Sequence, residues 1–254
     1  MRSISIVSGK GGVGKTTLTA NVACCLTALG YDTIVMDMNL TTPHLGLQLG
    51  VSLAPKTLHD VLRGDVDIFK AVYPHPLGFR FIPGSLALSD LTNVDTSRLP
   101  EVLSSLSNTS DFLLLDSAPG FGKEAMLSLQ AAEDILIVTN PEMPSVIDAL
   151  KAKEMAEKLG KKTIGVVLNR VKRRPSELKR YEIESILEQP VIAEIPEDEN
   201  VTKAIALKLP VVELSPKSPA AVEITKLAYF LAGRTYPTLS SLGFFGRLID
   251  WLRR

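Results

Sequence analysis

The residues that carry the clearest chemistry in this chain form one short run, Gly9-Lys10-Gly11-Gly12-Val13-Gly14-Lys15-Thr16-Thr17. Its spacing fits the phosphate-binding pattern G-x-x-x-x-G-K-[ST]. Glycines without a Cβ let the backbone turn tightly and aim several N–H groups at one point. Gly11, Gly12, Val13, Gly14, Lys15, Thr16 and Thr17 are therefore the expected cradle for a nucleotide's phosphates. The Lys15 ammonium would neutralise the outer phosphates and the Thr16 hydroxyl would ligate Mg²⁺. A chance glycine-rich turn is the bland alternative. The flanks speak against it. An apolar run over 4–7 precedes the loop, and Leu18, Val22, Leu26 and Leu29 follow at helical spacing. Strand, turn and helix are the context this motif needs, because the helix N-terminus adds unpaired N–H groups and the positive end of its dipole.

Other elements must hold that loop. Residues 31–37 read as a second strand after a helix stopped by Gly30, which places Asp37 at a strand's carboxyl end. The apolar run 112–115 reads as a parallel strand covered on both faces, ending at Asp116 and followed by Ser117-Ala118-Pro119-Gly120. Gly120 and Gly122 read as points where the segment can change shape. Further strands are expected over 79–82, 135–139, 163–168 and 191–195. Helices are expected over 57–63, 96–107, 145–159, 176–187, 200–209 and 219–232. This strand–helix rhythm predicts an α/β fold with a doubly wound, mainly parallel sheet and helices on both faces.

The 254 residues suffice for one substantial core, and the hydrophobic content is 45%. Lys+Arg and Asp+Glu both number 28, which argues against a broad electrostatic grip on nucleic acid. Cys24 and Cys25 are adjacent in the first helix and read as packing residues in a reducing cytoplasm, not as a metal-cluster site. His44, His59 and His75 lack metal-ligand spacing and read as surface or packing residues. No apolar stretch has the length of a signal peptide or of a membrane span.

With Lys10 near its start, the loop resembles that of the deviant phosphate-loop ATPases, the MinD/ParA family. The resemblance implies bound ATP or ADP with Mg²⁺. It implies an ATP-dependent homodimer in which Lys10 reaches the partner's nucleotide; alone, Lys10 is equally a solvated loop lysine. Asp37 and Asp116 match the family's two switch aspartates, which hold the metal through water, and Lys10, Lys15 and Asp37 are the implied catalytic set. The stretch after Asp37, residues 38–45, resembles the family's first switch region, where MinD-type members usually show Asp-x-Asp and use the second aspartate to help position the attacking water. Here the pattern reads Asp37-Met38-Asn39, and an amide can orient a water but cannot take its proton as a carboxylate can. Asn169 matches an adenine-reading asparagine with Arg170 beside it. Pro196 and Asp198 match the segment lining the base's other side, although turn chemistry alone would explain both.

The final segment changes character. After domain residues 1–232, residues 233–241 read as a linker. Residues 242–254 form an amphipathic pattern, with Phe244, Phe245, Leu248, Ile249, Trp251 and Leu252 on one side and Arg247, Arg253 and Arg254 on the other. At about 1.5 Å per residue it is too short to span a bilayer and suits the headgroup plane of an anionic membrane surface. It resembles the family's MinD-type membrane-targeting tail; a helix docked on the domain is the alternative. The expectation is a cytoplasmic, peripherally membrane-bound ATPase switch that positions a protein cargo or answers to an activator, as in division-site placement. A MinD-like ATP-binding regulator with little hydrolysis, a ParA-like DNA-segregation factor and a metal-cluster carrier are the other classes weighed.

Overall fold

The computed structural model describes residues 1–51 and 53–237. In chain order the elements are β1 (Arg2–Val7), α1 (Lys15–Ala28), β2 (Thr33–Asp37), α2 (Leu45–Gln48), α3 (Leu58–Arg63), β3 (Tyr73–Pro74) and β4 (Arg80–Ile82). Then come α4 (Leu99–Leu106), β5 (Phe112–Asp116), α5 (Lys123–Ala131), β6 (Asp134–Thr139), α6 (Met143–Lys158) and β7 (Lys162–Val171). The last are α7 (Arg180–Leu187), β8 (Val191–Pro196), α8 (Glu199–Ala206), α9 (Val211–Leu214) and α10 (Pro219–Leu231). Among the described residues, eight strands form one sheet in the order β3-β4-β2-β5-β1-β6-β7-β8. Every pairing is parallel except β3 with β4. The expected α/β architecture with a mainly parallel sheet is what the chain adopts.

Strand periodicity feeds two cores. Ile4, Ile6, Val35, Leu114, Leu136 and Val138 join α1, α8, α9 and α10 on one face of the sheet. Ile34, Met36, Leu113, Leu115, Ile135 and Ile137 join α3 to α7 on the other. Alternate residues point to opposite faces, and both faces are covered, which is why β5 reads as an uninterrupted apolar run.

Several expected boundaries are corrected. The helix expected over 176–187 begins only at Arg180. Glu182 accepts from the Lys179 N–H at 2.7 Å and Glu177 accepts from the Lys172 N–H, which holds the preceding residues as a turn. The helix expected over 96–107 opens as a 3₁₀ turn, Thr96–Arg98, capped by Asp95, before α4. The short α2 and α9, the antiparallel β3 and the nine-residue α5 were not expected. The buried face of α5 carries Ala125, Ser128 and Leu129, with Ser128 Oγ 2.7 Å from Ser5 Oγ of β1. With Leu129 the one large apolar residue on that buried face, the pattern is too weak to announce a helix.

The first residues of the expected linker fold back on the domain. Arg234 donates to the Tyr31 hydroxyl at 3.0 Å and lies over its ring, and Tyr236 packs edge-on against Tyr229. The amphipathic segment 242–254, with Phe244, Phe245, Arg247, Leu248, Ile249, Trp251, Leu252, Arg253 and Arg254, lies outside the described residues. No helix among the described residues is long and apolar enough to cross a membrane.

Candidate functional site

The loop after β1 is shaped by two close approaches. A Cβ on Gly9 would stand 2.1 Å from the backbone oxygen of Asp148 in α6, so only glycine lets the two backbones meet there. Gly14 has φ +97° and caps α1 without a side chain. The first N–H groups of α1 are thus left for a ligand, and no acidic side chain stands in its first turn to compete. Val13 turns its side chain into the core at 2% exposure, so only its backbone faces the loop. Gly11 and Gly12 are exposed.

Lys15 is 7% exposed, and its Nζ donates to Ser8 Oγ at 2.7 Å. The same hydroxyl donates to the Lys10 carbonyl, so Ser8 ties the lysine to its loop. Burial pulls the Lys15 ammonium below its ordinary value, and the nearby Asp116 opposes that pull. Ser8 gave no sequence signal beyond preceding Gly9. Lys10 joins these contacts through its carbonyl alone. Its side chain is exposed and lines neither of the cavities described below.

Asp37 and Asp116 stand opposite one another on adjacent strands, in direct register. Asp37 is fully buried. Its carboxylate accepts the Asn39 N–H at 3.1 Å and the Leu45 N–H at 2.9 Å, and so anchors the loop after β2. Burial, followed by the neighbouring Asp116 charge, pushes its carboxyl well above the usual range. The Thr16 hydroxyl lies beside Asp116, whose Oδ1 is buried with no partner. Burial raises Asp116 to about 6, with Thr16 and Lys15 acting the other way. Two buried acids, a threonine hydroxyl and an orphaned carboxylate oxygen make a donor set that fits a divalent, oxygen-loving cation. Among the described residues no cluster of three or more His, Cys, Asp or Glu side chains could hold a metal by itself. A metal here needs ligands from the bound molecule and from water.

Asn39 is 9% exposed, and its Oδ1 accepts both the N–H and the hydroxyl of Thr42 at 3.2 Å. Two joined cavities receive these groups. One, of about 340 Å³, is lined by Gly11, Gly12, Lys15, Thr16, Asn39 and Arg170. The other, of about 230 Å³, is lined by Gly14, Asn169, Arg170, Pro196, Asp198 and Thr202. Gly14, Thr17, Arg170 and Ile205 border both. Residues far apart in sequence thus meet around one cleft at the carboxyl edge of the sheet, where open parallel sheets bind ligands. Thr202 and Ile205 join the cleft without any motif to announce them, whereas Thr42 lies in the stretch after Asp37 that resembles the family's first switch region.

Two of the expected base-lining groups also have structural duties. Asn169 Nδ2 donates to the Val13 carbonyl at 2.7 Å. Asp198 caps α8, with Oδ1 accepting the Asn200 N–H at 2.9 Å and Oδ2 the Ala220 N–H at 3.2 Å. Burial raises the Asp198 carboxyl, but those N–H bonds outweigh it and hold the group below its ordinary value. The histidines fit the packing expectation at two positions. His59 and His75 are buried, whereas His44 is exposed at the edge of the larger cavity. Cys24 and Cys25 are free and buried.

The family described as the CobQ/CobB/MinD/ParA nucleotide binding domain matches residues 4–211. A protein of Methanocaldococcus jannaschii described as an uncharacterized ATP-binding protein is 40% identical over 234 residues, covering 92% of this chain and 89% of its own length. The structure of the cell division ATPase MinD from Pyrococcus furiosus is similar with a TM-score of 0.88 at 36% identity, over 91% of this chain and 98% of that one. The septum site-determining protein MinD of Pyrococcus horikoshii, complexed with Mg-ADP, is similar with a TM-score of 0.87 at 35% identity, over 91% of this chain and 95% of that one.

Proposed function

Because this chain belongs to the CobQ/CobB/MinD/ParA nucleotide-binding family, we propose that it is an ATP-dependent dimerising switch that cycles between cytoplasm and membrane to position a partner protein, as in division-site placement. The observation that carries the reading is the convergence of Lys15, Thr16 and the orphaned Asp116 oxygen beside one glycine-walled cavity. Lys15 moves from Ser8 to the outer phosphates, exchanging a neutral acceptor for charged ones. The N–H groups of Gly11 to Thr17 hold the remaining phosphate oxygens. Thr16 directly, and Asp37 and Asp116 through water, would hold a Mg²⁺, which would supply positive charge beside the phosphates. Asn169 keeps its Oδ1 and one amide hydrogen for adenine, and Arg170, Pro196 and Asp198 line the same end of the cleft. Lys10, exposed outside its own cavities, reaches the nucleotide of a second copy and offsets charge there.

The membrane step rests on the sequence of 242–254. One such segment binds only marginally; a dimer presents two, which raises avidity by roughly 10²–10⁴. Membrane binding then reports dimerisation, and so bound ATP.

Asn39 favours a second reading, an ATP-binding regulator with slow hydrolysis. Its carbonyl is taken by Thr42, so it offers the cavity an N–H donor and no base. Asn39→Asp separates the two: faster turnover supports the slow-regulator reading, and an unchanged rate removes it.

Light scattering with Mg-ATP and Mg-ADP tests the main reading. Dimer mass is expected with ATP alone. Lys10→Ala should bind ATP yet stay monomeric, and Lys15→Ala should lose nucleotide affinity by about tenfold or more. Wild-type affinity in Lys15→Ala would refute the site.

A further inference from the structure

We propose that Glu124 is a positioning residue that clasps the loop after β2 to the start of α5 and so fixes which face Asn39 offers to the cavity. The inference rests on reading that cavity as a nucleotide site. Glu124 accepts both donors of Thr41, its backbone N–H at Oε2, 3.3 Å away, and its hydroxyl at Oε1. Next along the loop, both donors of Thr42 go to Asn39 Oδ1, and the Asn39 N–H goes to Asp37. The hydrogen bonds therefore run without a gap from the buried Asp37 through Asn39 and Thr42, and across one peptide link, to Thr41 and Glu124.

The chemistry of these bonds fixes the asparagine's orientation. A backbone N–H only donates, so the atom turned to Thr42 must be the amide oxygen. The amide NH₂ is what remains for the cavity that Asn39 lines. If the Thr41–Thr42 segment shifts, that orientation is lost.

The loop is fastened twice, and the two fastenings differ. On its buried side His59 Nδ1 accepts the Ser85 N–H at 3.0 Å, so Nε2 carries the hydrogen and donates to the Leu40 carbonyl at 2.9 Å. That anchor is enclosed. On its outer side Thr41 and Thr42 are exposed, and the Glu124 bonds compete with water. Glu124 sits in the first turn of α5, where the helix dipole favours its charge. Since β2 and β5 are neighbours with Asp37 and Asp116 in register, the segments leaving them run side by side, and Glu124 is where the second reaches back to the first. One fixed and one openable fastening make a loop that can adopt two states on contact with ligand.

Amide hydrogen exchange on the full chain without nucleotide is the first test. In Glu124→Ala the amides of residues 39–42, 44 and 45 should exchange roughly fivefold faster or more, with α10 unchanged. Glu124→Gln, whose amide oxygen accepts the Thr41 N–H while its NH₂ donates to the Thr41 hydroxyl, should restore most of the protection. Unchanged exchange in Glu124→Ala overturns the clasp.

Turnover supplies the second test. Glu124→Ala should lower kcat about tenfold while the ATP dissociation constant stays within about twofold. On an Asn39→Ala background the same substitution should change kcat by less than about twofold, because nothing is left to position. Equal losses on both backgrounds would assign Glu124 a merely structural role and overturn the proposal. If the wild-type chain turns over no ATP but loses protection in Glu124→Ala as described, the hydrolysis reading falls and the clasp stands.

Discussion

Gly14 and Asn169 leave no room for a carbon atom between them: a Cβ on Gly14 would stand 2.3 Å from the Asn169 amide nitrogen. The same amide nitrogen donates to the Val13 carbonyl at 2.7 Å and so ties β7 to the loop that opens α1. Gly14→Ala meets both this clash and a left-handed φ of +97°. It should cost about 1–3 kcal/mol of stability and weaken nucleotide binding at least about tenfold. Thermal denaturation and calorimetric titration of ADP measure the two. Adding Asn169→Ala should recover part of the stability, since it removes the clash and leaves the strained φ. Wild-type binding in Gly14→Ala would show that the two elements move freely.

Asp116 should trade stability for ligand binding. Burial raises its carboxyl from 3.8 to about 6. At neutral pH the fold therefore holds an ion that the unfolded chain holds more easily, a cost on the order of 2–3 kcal/mol. Asp116→Asn should raise the Tm of the nucleotide-free chain and abolish the extra stabilisation that Mg²⁺ adds to ADP. A lower Tm together with an intact Mg²⁺ effect would contradict its place at the metal.

The phosphate loop could be read directly because its function lies in consecutive residues. Asp37 and Asp116 could be placed at strand ends, but their register across β2 and β5 is a tertiary fact. Asn169, Pro196 and Asp198 came from resemblance, and their second roles, on the Val13 carbonyl and as the cap of α8, depend on contacts between distant segments. Glu124 escaped notice for the same reason, since α5 carries no apolar stripe and Thr41 lies far from it in sequence. Thr202 is a polar residue of ordinary type that only folding brings to the cleft. The tail was legible as a pattern of apolar and basic residues.

His59 should give stability a pH dependence. Burial pulls it below its ordinary value, and its Nδ1 must stay unprotonated to accept the Ser85 N–H. With the folded value below the unfolded one, the unfolded chain takes up the proton first. Stability from this residue is intact above about 6.5 and declines as pH falls below it. His75 is lowered as well and acts in the same direction. Comparing wild type with His59→Gln from pH 7.5 to 5 isolates the His59 share. The variant should be less stable at pH 7.5, and the gap should narrow toward pH 5. A constant gap would mean that folding leaves the proton affinity of His59 unchanged.

The two cysteines should be inert in the folded chain. Burial raises Cys24 to about 12 and Cys25 to about 11, the Cys25 shift being opposed by a hydrogen bond with Thr225. Almost no thiolate exists at neutral pH, so a disulfide reagent should titrate neither thiol in the native protein and both after denaturation. Rapid native labelling would contradict the packing role and reopen a redox or metal-carrying one.

On the proposed reading, nucleotide state sets membrane attachment through paired copies of 242–254. Sedimentation of the full chain with phosphatidylglycerol-containing vesicles, in Mg-ATP and in Mg-ADP, is the decisive measurement. Pelleting is expected with ATP, little with ADP, and none with either nucleotide after deletion of 242–254 or in Phe245→Glu. Equal pelleting with ADP and ATP, or full pelleting of the deletion variant, would contradict it.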